Sequence, residues 1–129
     1  MQIISPGKVF RGKNAWQISL PEIVKLSKSP LILGRSQVTR TLRSLISEDL
    51  SKLNLNVFNS ELEFDCCEED LTRIYNLAIE QKCDSIITAG GGKVLDAGKL
   101  LADFLSIPCI TVPLSASTCA GWTALGNIY

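Results

Sequence analysis

The chain has 129 residues, 46% of them hydrophobic and 20% charged, which is typical of one globular domain with a buried core. Thirteen basic and thirteen acidic residues cancel, so the composition shows no electrostatic footprint for nucleic acid or an anionic membrane. No run approaches the roughly 20 apolar residues of a membrane-spanning helix, and the first residues lack the apolar core of a signal peptide. We therefore expect a cytoplasmic protein that binds small ligands and neither nucleic acid nor a membrane.

The strand-like and helix-like segments alternate along the chain. The predicted strands are 8–12, 29–35, 54–60, 85–89 and 108–113. The predicted helices are 20–26, 36–53, 67–82 and 93–106; the second begins with Ser36 as a cap and has Val38, Leu42, Leu45, Ile46 and Leu50 at helical spacing. This alternation indicates parallel βαβ units, and hence an α/β fold with a doubly wound, mostly parallel, Rossmann-like sheet. Ligands of such sheets bind beyond the carboxyl ends of the strands.

Three successive glycines and a lysine, GGGK at 90–93, lie between the strand 85–89 and the helix that follows it. The first amides of a helix have no intrahelical partner and the helix dipole is positive there, while glycine lets a phosphate approach the backbone closely. The motif is neither GxGxxG nor a Walker P-loop, because Val94 follows the lysine. On spacing alone, two interpretations stay open: a phosphate site, or a glycine-rich turn that packs a helix against the sheet.

The segment from the glycines to the last residue carries a resemblance to a known family. GGGKVLDAGKLLADFLSIPCITVPLSASTCAGWTALGNIY resembles the nucleotide-binding domain of the iron-containing alcohol dehydrogenase superfamily, especially its glycerol dehydrogenase branch. That branch has a GGGK-x-x-D-x-x-K loop and helix, a strand that ends in proline, and then an AST-D-A segment. The opening ISPGKVFRGKNA is also similar to the family's first strands. A dehydroquinate synthase-like fragment is a less favoured alternative, because that family matches the C-terminal segment less well.

The resemblance implies a nicotinamide dinucleotide, NAD or NADP, as cofactor. Gly91, Gly92 and Lys93, in one turn with Gly90, are implied to hold its pyrophosphate. The residues implied to line the nicotinamide side are Leu114, Ser117, Thr118, Thr123, Leu125 and Tyr129. Hydroxyls in this set can bond phosphate, ribose or carboxamide, and its apolar members offer surface to the nicotinamide.

Three features depart from the family pattern. Arg35 ends the strand that should meet the adenosine ribose, where the family commonly has aspartate; an arginine there suits the 2′-phosphate of NADP. Cys119 stands in STCA, where the STDA pattern has a substrate-contacting aspartate, so its position is substrate-proximal. The family's zinc or iron is bound by an aspartate and two histidines of a helical C-terminal domain, whereas this sequence has no histidine. We therefore expect no metal-binding and no catalytic residue within these 129 residues.

These observations predict a single nucleotide-binding domain over residues 1–129, a fragment of a longer two-domain protein without the family's helical C-terminal domain. The parent would oxidise a small alcohol or polyol reversibly, and the domain alone would be inactive. A rival hypothesis is a stand-alone, non-catalytic nucleotide-binding or assembly module that pairs with itself or with another chain. The five cysteines are irregularly spaced and form no CxxC pair, so we expect reduced thiols.

Overall fold

The computed structural model describes residues 8–10, 15–35, 39–63, 68–113 and 126–128. The strands are β1 (Lys8–Phe10), β2 (Pro30–Gly34), β3 (Phe58–Glu61), β4 (Ser85–Gly90), β5 (Cys109–Pro113) and β6 (Gly126–Ile128). The helices are α1 (Ala15–Leu26), α2 (Arg40–Lys52), α3 (Glu68–Glu80) and α4 (Gly92–Leu105). Within the described ranges, none of these helices combines the length and the hydropathy that crossing a bilayer requires.

The six strands form one sheet in the order β1-β6-β5-β4-β2-β3. Strands β5, β4, β2 and β3 are parallel to one another. Strand β6 pairs antiparallel with β5, and β1 pairs antiparallel with β6. The predicted α/β fold with a mostly parallel sheet is therefore confirmed. Strands β2 and β4 are buried along their whole length, as expected of parallel strands covered on both faces.

The helices divide between the two faces of the sheet. Alternate strand residues such as Ile32 and Ile87 pack with Ile23 of α1 and Ile46 of α2 in one core cluster. On the opposite face, the second cluster joins the same strands to α3 and α4, for example through Leu101. Since side chains alternate along a strand, β2, β4 and β5 each contribute to both clusters, and the sheet is doubly wound.

Helix α1 begins five residues before the predicted start at Leu20. Pro21 lies inside the helix, and a proline removes one backbone donor, so the sequence pattern favours a start close to it. Tertiary contacts outweigh this effect. Trp16 is buried and its indole Nε1 donates a hydrogen bond of 2.7 Å to Asp49 Oδ2 of α2.

Two further elements begin four residues later than predicted, and most of the other boundaries differ by one or two residues. Helix α2 begins at Arg40 with Thr39 as its N-cap, and no side chain caps it; Ser36, the predicted cap, lies outside the described residues. Strand β3 begins at Phe58 and not at 54, because the chain first turns out of α2. In this turn Asn54 has a φ of 66°, a left-handed conformation that asparagine tolerates better than most residues.

A hydrogen-bonded clamp closes the amino-terminal end of the parallel strands. Asp84 accepts hydrogen bonds from Ser27 Oγ at 2.5 Å, from the Lys28 amide at 2.8 Å and from the Ser29 amide at 2.9 Å. Partial burial raises the pKa of Asp84, but these hydrogen bonds outweigh it and the pKa lies below its ordinary value. The clamp joins the start of β2 to the start of β4.

Candidate functional site

The candidate site lies where the parallel strands change their winding direction. Strands β2 and β4 are neighbours, with Leu33 opposite Thr88. The chain leaves β2 toward α2 on one face of the sheet and leaves β4 toward α4 on the other face. Connections that diverge in this way open a crevice beyond the carboxyl ends of the two strands, which is the usual ligand position in such sheets.

The glycine turn at 90–93 forms one wall of this crevice. Gly90 ends β4 with a φ of 149°, a conformation that side-chain-bearing residues rarely adopt. A Cβ there would also lie 3.3 Å from Val94 Cβ. Gly91 is the N-cap of α4 in an extended conformation, with a φ of −83°. The backbone conformation of Gly90 and its contact with Val94 therefore explain why this residue is a glycine.

Gly91 and Gly92 differ from Gly90, because none of the described residues requires glycine at these positions. A Cβ built on either residue meets no heavy atom of the described chain within 4 Å, and both residues are exposed. Within the described part of the chain, no side chain caps the amides at the start of α4. The turn thus presents bare backbone and open space at the positive end of a 14-residue helix. Such a surface suits a phosphate group.

Two residues hold α4 against β4 and so fix the glycine turn. The Thr88 hydroxyl, buried in β4, donates a hydrogen bond of 2.8 Å to the carbonyl of Val94 in the first turn of α4. Gly98 lies one turn further along, where a Cβ would be only 2.5 Å from Thr88 Cβ. The missing side chain at Gly98 lets the helix pack closely on the strand, which is a role that glycine also has in dinucleotide-binding turns.

Lys93 and Arg35 are the two predicted cationic residues of the site. Lys93 lies in the first turn of α4, and its side chain is exposed. Arg35 directly follows β2 and is also exposed. Because Leu33 lies opposite Thr88, Arg35 is level with Gly90 across the crevice. The structure therefore brings together all of the predicted site residues that it describes.

The sequence analysis missed Arg43, a buried arginine beside the end of β2. Its guanidinium occupies the space that a Cβ at Gly34 would need, so Gly34 is a glycine to make room for it. Its Nε donates to Thr39 Oγ1 at 3.1 Å and its Nη2 to Glu61 Oε2 at 2.9 Å. Only 6% of the Arg43 side chain is exposed, compared with 40% for Glu61.

The position of Arg43 affects the charge of Glu61. The hydrogen bond from Arg43 is the main cause that lowers the pKa of Glu61 below its ordinary value, and the charge of Arg40 adds to it. The carboxylate is therefore ionised at neutral pH. A signal for this cluster did exist in the sequence, since a glycine at a strand end precedes two arginines on the next helix, but that pattern does not specify which arginine is buried.

The other predicted site residues lie outside the described residues. They are Leu114, Ser117, Thr118, Cys119, Thr123, Leu125 and Tyr129. Their assignment to the nicotinamide side or, for Cys119, to the substrate side stays a prediction. Of the predicted site residues, the structure describes the turn at 90–93 and Arg35.

The two described cysteines are free. Burial, with a contribution from the charge of Asp84, raises the pKa of the Cys83 thiol to about 11. Burial also raises the pKa of Cys109 to about 12. Both side chains are therefore protonated thiols at neutral pH and poor nucleophiles. Among the described residues, no group of three potential histidine, cysteine or carboxylate ligands lies close enough together to hold a metal ion.

The fold and the glycine turn define a doubly wound α/β domain with a candidate phosphate-binding turn at its switch point. A family model described as iron-containing alcohol dehydrogenase matches residues 6–129. The chain belongs to the iron-containing alcohol dehydrogenase family, and the resemblance that the sequence predicted is confirmed.

One curated relative agrees with this assignment, and two solved structures share the fold. The glycerol dehydrogenase of Escherichia coli O6:H1 is 32% identical over 128 residues, which are 98% of this chain and 35% of that protein. The solved structure of an iron-containing alcohol dehydrogenase matches with a TM-score of 0.74 and 18% identity, over 93% of this chain and 38% of that one. The structure of glycerol dehydrogenase from Schizosaccharomyces pombe matches with a TM-score of 0.67 and 21% identity, over 84% of this chain and 30% of that one. The chain thus spans about a third of the length of these proteins.

Proposed function

We propose that this chain is the nicotinamide-dinucleotide-binding domain of a metal-dependent alcohol or polyol dehydrogenase. One observation carries the proposal: at the start of α4, beside the switch point of the sheet, Gly91 and Gly92 have no described neighbour where side chains would be, and no described side chain caps the helix. The family match supports a dehydrogenase, and the name of the Escherichia coli relative supports a small polyol such as glycerol as the substrate of the complete protein.

In this proposal the residues of the crevice bind and orient the cofactor. The amides of Gly91 and Gly92 face the pyrophosphate, and the Lys93 ammonium, in the same turn, adds a positive charge. Arg35 meets the adenosine ribose from the β2 side and favours NADP over NAD. When bound, the nicotinamide ring supplies the hydride acceptor for alcohol oxidation.

The metal that the family name implies has no candidate cluster of ligands among the described residues. The whole sequence contains no histidine, which the family resemblance implies for two of the three ligands. We therefore propose that the 129 residues bind the cofactor but do not complete the reaction. Turnover of any alcohol by the purified chain above a buffer control, with or without added zinc or iron, would contradict this.

Calorimetric titration of the purified chain with NADP and with NAD tests the proposed function. We expect both to bind, and NADP to bind more tightly by roughly tenfold, since a bidentate arginine–phosphate contact contributes about 1.5–3 kcal/mol. Arg35→Ala should lose most of this preference and little of the affinity for NAD. Equal affinities, tighter NAD binding, or an Arg35→Ala variant that loses both cofactors equally would refute the assignment of Arg35.

A second candidate function, a non-catalytic assembly module, is favoured by apolar side chains on α4. Phe104 is 58% exposed, and Leu100, one turn before it, is 39% exposed. Exposed apolar side chains one turn apart are a common feature of protein contacts. Sedimentation of the chain and of Phe104→Ser distinguishes the candidates: an oligomer that dissociates in the variant, without dinucleotide binding in either protein, would favour assembly.

A further inference from the structure

Arg43 contacts both ends of the connection that leads from β2 to α2. On the β2 side, its guanidinium occupies the space beside Gly34 that a Cβ would need. On the α2 side, its Nε donates a hydrogen bond of 3.1 Å to Oγ1 of Thr39, the N-cap of α2. Its Nη2 donates a hydrogen bond of 2.9 Å to Oε2 of Glu61, at the end of β3. One side chain therefore joins the ends of two neighbouring strands to the start of the helix.

The energetic cost of this arrangement argues against stability as its only role. The Arg43 side chain is 6% exposed, and the removal of a charge from water costs free energy that an ion pair often does not fully offset. Gly34, which makes the room, loses more conformational entropy on folding than any other residue type would. Replacing a buried ion pair by apolar side chains is often neutral for stability or increases it. The arginine does supply a fixed geometry for the groups that it bonds.

The strand end that Arg43 holds borders the crevice of the candidate site. Arg35 follows Gly34 directly, and the register of β2 and β4 places it level with Gly90 of the glycine turn. A shift of Gly34 is transmitted to Arg35, because the peptide unit between them is planar and rigid. The side of the crevice that faces the glycine turn thus depends on a residue of α2 that is itself buried.

We propose that Arg43 is a positioning residue for dinucleotide binding, which holds the backbone of Gly34 and Arg35 where the bound cofactor requires it. The proposal rests on the proposed function, since it assumes a dinucleotide in the crevice. Arg43 acts through the backbone of β2 and does not itself bind the ligand. Binding sites depend on such supporting side chains, because a displacement of about 1 Å is enough to weaken contacts that need a defined geometry.

Two substitutions disturb the strand end, and two others serve as controls. Arg43→Met keeps an unbranched side chain but removes the guanidinium with its hydrogen bonds, whereas Gly34→Ala adds a methyl group that displaces the guanidinium. Arg40→Met is the matched control, because Arg40 lies on the same helix and also pairs with Glu61 but is 58% exposed. Asp84→Asn is the control for stability, because it breaks the clamp at the opposite end of the sheet.

Calorimetric titration of the 129-residue chain and these four variants with NAD and NADP tests the proposal, at a temperature where thermal unfolding curves show each protein to be folded. We expect Arg43→Met and Gly34→Ala to weaken the binding of both dinucleotides by about tenfold. They differ in this from Arg35→Ala, which removes a side chain but leaves the strand end in place. Arg40→Met and Asp84→Asn should change the affinities by less than about twofold.

The outcomes separate this inference from the proposed function. A wild-type chain that binds neither dinucleotide overturns the proposed function and this inference with it. A wild-type chain that binds, with unchanged affinity in folded Arg43→Met or in folded Gly34→Ala, overturns this inference alone. An equal loss in Asp84→Asn would also overturn it, because affinity would then follow stability, and an equal loss in Arg40→Met would overturn it because charge would then explain the effect. If Arg43→Met does not fold, Gly34→Ala decides.

Discussion

Two pairs of glycines in this domain serve opposite purposes. At Gly34 and Gly98, another side chain occupies the space that a Cβ would need: Arg43 at the first and Thr88 at the second. At Gly91 and Gly92, the same construction meets none of the described residues within 4 Å. The first pair is explained by packing, whereas no described neighbour explains the second pair. This difference supports the proposal that Gly91 and Gly92 bind a ligand.

The largest effect is expected from Gly98→Val. Its Cβ would lie 2.5 Å from Thr88 Cβ, so α4 has to move away from β4. Forcing extra atoms into a packed contact costs about 1–3 kcal/mol, and the valine should lie near 3 kcal/mol because both backbones oppose relaxation. Urea unfolding measures the loss. A variant as stable as wild type would show that the helix and strand are not held by this contact.

The clamp at the opposite end of the sheet gives a test that does not involve a glycine. Asp84→Asn should lower the free energy of unfolding at pH 7 by roughly 2 kcal/mol, since an ionised acceptor with three donors is lost. This end of the sheet differs from the glycine turn, because side chains of the protein itself close it. Dinucleotide affinity should stay unchanged in the folded variant.

The same carboxylate predicts a pH dependence. Because the pKa of Asp84 is lower in the folded state than the value of about 3.9 in an unfolded chain, its contribution is complete above that value. The contribution is lost as the pH falls through the folded pKa. The stability difference between wild type and Asp84→Asn should therefore shrink below about pH 4. A difference that is constant from pH 7 to pH 3 would contradict the ionic role of this side chain.

A smaller loss of stability is expected from Gly34→Ala. The added methyl displaces the Arg43 guanidinium and weakens its bonds to Thr39 and Glu61, at a cost of roughly 1 kcal/mol. In a chain that already carries Arg43→Ala, the same substitution should cost little, because the space is then empty. A double-mutant cycle measures this coupling. Additive losses would show that Gly34 is a glycine for another reason.

The sequence sufficed to predict the mostly parallel α/β fold and the glycine turn between β4 and α4. Alternating apolar segments predicted the parallel strands, and GGGK between a strand and a helix predicted the turn. Long-range packing was not predictable in the same way. Leu45 has helical spacing with Leu42 but is 42% exposed, while Arg43, a residue type that is usually exposed, is buried. Gly34 and Gly92 are the same residue type, and only their neighbours in the folded structure distinguish their roles.

The most direct test of the ligand role of the glycine turn is titration of Gly92→Val with NADP, made alongside its urea unfolding curve. The account predicts that dinucleotide affinity falls by at least about a hundredfold, since a side chain then projects toward the phosphate. The free energy of unfolding should change by less than about 0.5 kcal/mol, because the valine enters open space. Undiminished NADP binding by Gly92→Val would contradict the account and leave the turn with a structural role only.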